Sequence, residues 1–171
     1  MNPRIEEQKI ITITYELREG GRDGALLERM DARYPFIFLF GRGKLLKSFE
    51  ENLRGLKMDD SFDFTLSVEE GYGKTNPLNI LKIKLEDFKR SSNTPDDYIR
   101  VGNLVKVTDD GGLRHNGKIL EIAADYVKID FNHAMADKSL HFKGNVLHIR
   151  EATIDELIRG HYIEKDGVRR F

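Results

Sequence analysis

The strongest constraint on this chain is a period-two alternation of apolar and polar residues. From Lys9 to Arg18, the side chains of Ile11, Ile13, Tyr15 and Leu17 fall on one face of an extended segment, with Thr12, Thr14, Glu16 and Arg18 on the other. Phe62, Phe64, Leu66 and Val68 repeat the pattern. A strand of this kind shows one face to a core and the other to water, so a mainly β fold is expected. The segment from Leu140 to Ile149 changes its apolar parity around Gly144, which predicts a bulge or bend there.

Two short helices are predicted from their N-terminal signals. Ser48 precedes Glu51 by three residues and Thr153 precedes Glu156 by three, each matching the reciprocal capping pattern. Gly55 and Gly160 stand where such helices stop, which gives about 49–54 and 154–159. Between Gly73 and His133 the strand pattern restarts. Leu81, Ile83 and Leu85 alternate, the polar run from Lys89 to Asp97 looks like loop, and Val105 and Val107 follow. Beyond a Gly111-Gly112 turn come Ile119 to Ile122, then Val127, Ile129 and Phe131, a meander with a small core of its own.

Composition closes several routes to function. The chain has no cysteine, which removes disulfides, thiol nucleophiles and thiolate metal sites together. Its net charge of -1, with acids and bases interleaved, provides no positive field for a phosphate backbone, so nucleic acid is not an expected partner. The basic pair Arg169-Arg170 reads as a solvated terminus. No apolar run reaches the ~20 residues of a spanning helix, so no membrane partner is expected. The first seven residues place carboxylates where a secretory signal needs an apolar stretch, making the cytoplasm the expected compartment.

Residue types that often carry chemistry are weakly arranged here. His115, His133, His141, His148 and His161 are scattered without the i, i+4 spacing of a helical metal site, so no metal ligands are assigned. The acidic neighbours Glu50-Glu51, Asp59-Asp60 and Glu69-Glu70 point apart on any regular element and read as surface. Gly41-Arg42-Gly43 lacks the remainder of a phosphate-binding loop and signals a tight turn. Ser48 reads as a cap. A concentration of aromatics remains: Phe36, Phe38, Phe40, Phe49 and Tyr72, with Tyr15 and Phe142 on strands.

The run from Pro35 to Glu50, PFIFLFGRGKLLKSFE, closely resembles the signature of FKBP-type peptidyl-prolyl isomerases, and Glu70-Gly71-Tyr72-Gly73 matches their Ala-Tyr-Gly turn. The stretch from Asp130 to Phe142 and Arg150-Glu151-Ala152-Thr153 resemble the SlyD-like branch of that family. The resemblance implies a mainly β, α+β fold: a bent antiparallel half-barrel around a short helix, carrying a small β-rich domain inserted in its flap. It implies an isomerase body of residues 1–74 and 131–171 and an insert-in-flap chaperone domain of residues 75–130. It further implies an enzyme that accelerates X-Pro isomerisation in unfolded or partly folded polypeptides without a cofactor. No heptad or broad apolar helix face suggests obligate assembly, so a monomer is expected.

The family's catalytic positions carry over onto Tyr15, Glu28, Phe38, Tyr72 and Phe142, and its substrate-binding positions onto Leu27, Leu45, Leu46 and Phe49. By resemblance Phe49 forms the pocket floor, the Leu46 N–H holds the substrate carbonyl and Tyr72 presents a hydroxyl. Several positions depart from the family pattern. Glu28 stands for the usual pocket aspartate, Ser48 for a glycine before the helix, Asp60 for a turn glycine expected in left-handed geometry, Ala134 for a proline and Asp137 for a glycine. Gly160-His161 is followed by Tyr162-Ile163-Glu164 rather than a histidine-rich stretch, so nickel handling is not carried over. The competing reading, favoured by Glu28 and the altered 134–137 loop, is a chaperone or adaptor with a degenerate isomerase pocket.

Overall fold

A computed structural model of the chain describes residues 2–164, so the Arg169-Arg170 pair lies outside the described residues. In chain order the elements are β1 (Lys9–Glu19), β2 (Leu26–Met30), β3 (Phe36–Leu39), α1 (Lys47–Leu53), β4 (Ser61–Leu66) and β5 (Ile80–Lys84). There follow α2 (Leu85–Ser92), β6 (Leu104–Thr108), β7 (Arg114–Ile122), β8 (Tyr126–Asp130), β9 (Leu140–Glu151) and α3 (Ile154–Arg159). The architecture is mainly β with antiparallel sheets and short helices, an α+β fold. Two compact units divide it: residues up to Gly73 together with those from Asp137 onward, and Lys74–Ala136.

The first unit is built on a five-stranded sheet in the order β2-β1-β9-β4, with β3 also pairing β1. The alternation in β1 does what periodicity demands, burying Ile11, Ile13, Tyr15 and Leu17. On β9, Gly144 lies opposite both Tyr15 and Phe62, and a side chain there would meet the Thr14 carbonyl oxygen at 1.8 Å. Glycine is thus required by the close approach of the neighbouring strand. The parity change sits elsewhere than expected: Gly144 keeps register, and the irregularity falls at Leu147, between the pairs Ile13–Val146 and Thr12–His148. The extra residue lets both Val146 and Ile149 face inward.

The two predicted helices fared differently. α3 starts from Thr153, whose hydroxyl accepts the Glu156 N–H while the Glu156 carboxylate accepts the Thr153 N–H at 2.9 Å, and Gly160 closes it at φ 73°. α1 begins two residues earlier than expected, at Lys47, with Leu46 as its N-cap and no side-chain cap. Ser48 is therefore inside the first turn and does not cap. A carboxylate from the helix, Glu50, accepts the Gly41 N–H at 3.1 Å, which ties the preceding loop to the helix, while Glu51 pairs with Lys47 at 3.8 Å. The left-handed residue of the following turn is Asp59 (φ 71°), not Asp60, whose side chain accepts the Lys57 N–H at 2.8 Å. Asp137 does adopt left-handed geometry, at φ 64°, a conformation aspartate tolerates better than most residues.

The second unit carries a four-stranded sheet in the order β5-β8-β7-β6. Its core is Phe88, Val105, Val107, Ile119, Val127 and Ile129, with Ile83, Leu85, Ile99 and Phe131 packed against them. Phe88 comes from α2, whose last four residues, 89–92, fall where a loop was expected. Leu85 continues the strand alternation of Leu81 and Ile83, but Phe88 follows it at i+3, which is helical spacing, and α2 turns that pair inward. Glu86 and Asp87 in its first turn and Lys89 and Arg90 in its last complement the helix dipole. Burying Phe88 completely is worth about 2–3 kcal/mol, enough to hold so short a helix on the sheet.

Candidate active site

The aromatics scattered along the sequence converge in the first unit. Phe49, carried on the first turns of α1, has its ring centroid 4.9 Å from that of Phe142 on β9, 6.3 Å from Phe38 on β3 and 6.5 Å from Tyr15 on β1. Tyr15 and Phe142 are 5.7 Å apart. Most of these rings meet edge to face or tilted, the geometry that their quadrupoles favour. All four are under one-tenth exposed, so they form one buried aromatic cup around Phe49.

Two more rings complete the wall. Phe36 stacks on Phe38 at 5.0 Å, and Phe64 on β4 stacks on Phe142 at 5.5 Å while touching Phe49 at 6.0 Å. The sequence reading did not assign them to the site, although the signal was present. Phe36 lies two residues from Phe38, and Phe64 lies two from Phe62, so each shares an inward face with a neighbour.

Polar groups enter the cup from β1 and β2. Glu28 pairs in register with Leu17, which makes it the diagonal neighbour of Tyr15 on the same face. The Tyr15 hydroxyl donates to Glu28 Oε1 across 2.5 Å. Burial raises the pKa of that hydroxyl well above its ordinary value of 10, and the bond to Glu28 raises it further, so Tyr15 remains a proton donor. Tyr72 is 40% exposed and marks the solvent side; its hydroxyl is also pushed up, by partial burial first and then by the Glu28 charge. The Tyr72 loop is tied down by the bonds Gly71 N–H to Ser67 O and Gly73 N–H to Val68 O, and by reciprocal bonds between Ser67 and Glu70.

The remaining predicted residues are Leu27, Leu45 and Leu46. Leu45 and Leu46 are half-buried in the segment entering α1, and the Leu46 N–H has no acceptor among the described residues. Leu27 is half-buried and is the extra residue where the β1–β2 register shifts, between the pairs Leu17–Glu28 and Arg18–Leu26. No group of three His, Asp or Glu side chains among the described residues is arranged to hold a metal ion. No helix among them is long and apolar enough to cross a membrane.

The comparisons with known proteins agree with this geometry. The family model described as FKBP-type peptidyl-prolyl cis-trans isomerase matches residues 2–87. The FKBP-type peptidyl-prolyl cis-trans isomerase SlyD of Haemophilus influenzae is 31% identical over 159 residues, covering 92% of this chain and 79% of the relative. Those of Yersinia pestis and Escherichia coli K12 are each 28% identical over 92% of this chain, covering 77% and 76% of their own lengths. With matches of this extent and an aromatic cup gathered from β1, β3, α1 and β9, the chain belongs to the SlyD-like FKBP-type peptidyl-prolyl cis-trans isomerases and is an enzyme of that type.

Proposed function

We propose that the enzyme acts on prolines in unfolded or partly folded polypeptides, twisting the X-Pro bond in the aromatic cup while the Lys74–Ala136 unit holds neighbouring apolar chain as a chaperone. The barrier to uncatalysed rotation is the loss of amide resonance, and leaves the reaction taking tens of seconds or longer. No bond is made or broken. A twisted imide has less charge separation than a planar one, so a site lined by rings and poor in water favours the transition state over the hydrated ground state. The observation that carries this is the closure of Tyr15, Phe38 and Phe142 around Phe49, each less than one-tenth exposed. Tyr15 and Tyr72 supply hydroxyls beside it without adding a nucleophile of low pKa.

The chaperone part is supported by the second unit on its own. A cavity of about 690 Å³ there is lined by Leu78, Leu81, Ile83, Val107 and Phe131, with Asp87, Arg90 and Asp109 among its polar groups. Leu78 and Leu81 are largely exposed, and β5 is an edge strand with unpaired backbone groups on one side. An extended apolar segment suits such a surface, since backbone pairing tolerates many sequences and alternate side chains enter the cavity. Linking this surface to the isomerase site raises the local concentration of client proline.

The test is excision of Lys74–Ala136 with a direct join of Gly73 to Asp137, whose backbones are already bonded at 2.8 Å. Turnover of a short proline peptide should persist, while acceleration of a proline-limited protein refolding reaction should fall by at least tenfold. Equal losses in both assays would refute the division of labour.

A further inference from the structure

We propose that Glu28 makes the isomerase site charge-selective, favouring a basic and disfavouring an acidic residue immediately before the target proline. This rests on the reading that the cup holds the imide. Glu28 is half-buried, its carboxylate accepts a single hydrogen bond, from the Tyr15 hydroxyl, and it makes no ion pair among the described residues. The cation next to it in sequence is used elsewhere: Arg29 points to the other face of the sheet, where it meets Glu16 at 3.9 Å. A hydroxyl shares a proton with a carboxylate but does not cancel its charge. The negative charge therefore acts at the wall of the cup, and after burial it adds to the upward shift of both the Tyr15 and Tyr72 hydroxyls.

The reacting imide and the proline ring are neutral. The nearest variable charge in a substrate is the side chain of the residue before proline, attached to the carbonyl that rotates. Beside a low-dielectric wall, unlike and like charges should differ by about tenfold in kcat/KM, and the difference should shrink as salt screens it. The rings at 15, 38, 49 and 142 attract cations only through their quadrupoles and are unchanged in Glu28→Gln, so a difference lost in that variant belongs to the Glu28 charge.

The experiment measures kcat/KM on three otherwise identical peptides with Lys, Gln or Glu before proline, at low and high salt, for the wild-type protein and for Glu28→Gln and Glu28→Asp. The expected order in the wild type is Lys, then Gln, then Glu, compressed at 1 M salt. Glu28→Asp keeps the order, and Glu28→Gln brings the Lys-to-Glu ratio to near one whatever it does to the neutral peptide. A residue that merely supported Tyr15 would lower all three alike. Equal rates on the three peptides in the wild type, a ratio that persists at 1 M salt, or an order that survives in Glu28→Gln each overturns the proposal. If Glu28→Gln fails to fold, the wild-type salt series decides. Failure of the neutral peptide to react at all would instead count against the cup as the site of isomerisation.

Discussion

Tyr15 on β1 and Glu28 on β2, thirteen residues apart in sequence, are joined by a 2.5 Å hydrogen bond from hydroxyl to carboxylate at the wall of the aromatic cup. The bond fixes the orientation of a ring that touches Phe36, Phe49 and Phe142, so it links the β1–β2 register to the shape of the site. Replacing Tyr15 with phenylalanine keeps the ring and removes the donor, leaving a half-buried carboxylate short of a partner at a cost of about 1–3 kcal/mol. The expected result is a lower thermal midpoint and a kcat/KM reduced several-fold on a proline peptide. Unchanged kinetics would mean that the hydroxyl is idle in catalysis.

The same hydroxyl yields a pH prediction. Its pKa lies above the ordinary 10 because burial, and then Glu28, both penalise the phenolate. Tyr15 thus stays protonated throughout the neutral and mildly alkaline range. No loss of kcat/KM due to Tyr15 is expected up to pH 10, and ultraviolet difference titration should show at least one tyrosine that resists ionisation there.

Phe142 touches Tyr15, Phe49 and Phe64, and its removal opens the cup from β9. Phe142→Ala should cost about 3–5 kcal/mol of stability through the cavity it leaves. Phe142→Leu fills most of that volume and separates folding from chemistry: its midpoint should move little while kcat/KM drops by tenfold or more. A Phe142→Ala protein with undiminished kcat/KM would contradict the aromatic mechanism.

At Gly144 the backbone of β9 passes close to that of β1. A methyl group at that position would lie 1.8 Å from the Thr14 carbonyl oxygen, so Gly144→Ala must push the strands apart next to Tyr15. A loss of about 3 kcal/mol or more in urea unfolding is expected, with activity falling in parallel.

Glu156 governs acid stability. Only 1% exposed, it receives two hydrogen bonds from Arg150 and one each from the Thr153 and Ile163 N–H groups. Arg150 chiefly, then those backbone donors, outweigh burial and lower its pKa from 4.5 to about 2. Since the folded value is the depressed one, the stabilisation is fully present above about pH 4.5 and is lost as pH falls through about 2; it corresponds to about 3 kcal/mol. Urea midpoints of the wild type should decline across that window, and Glu156→Gln should flatten the decline while lowering the midpoint at neutral pH.

Local pattern was sufficient wherever the decisive interactions lie within a few residues. The β1 face reads directly from Ile11, Ile13, Tyr15 and Leu17, and the α3 start from Thr153 and Glu156, because a pleat has period two and a capping box closes within three residues. α2 escaped notice because Leu85 satisfies both the strand alternation behind it and the helical spacing to Phe88 ahead; the core formed by Val105, Ile119 and Ile129 chose between them. Ser48 does not cap because the helix begins at Lys47 with Leu46 as its N-cap, which places Ser48 inside the first turn, where Glu51 pairs with Lys47.

Residue order alone thus established a β-rich chain, its dominant strands, one helix boundary and, through motifs, the kind of site to expect. It did not reveal that Phe36 and Phe64 join the cup, that the β9 irregularity falls at Leu147, or that Glu28 reaches the Tyr15 hydroxyl. Those facts depend on strand register and on side chains brought together from distant parts of the chain. Such contacts are selected by close packing and by satisfying buried polar groups, energies that exist only once the sheet has closed.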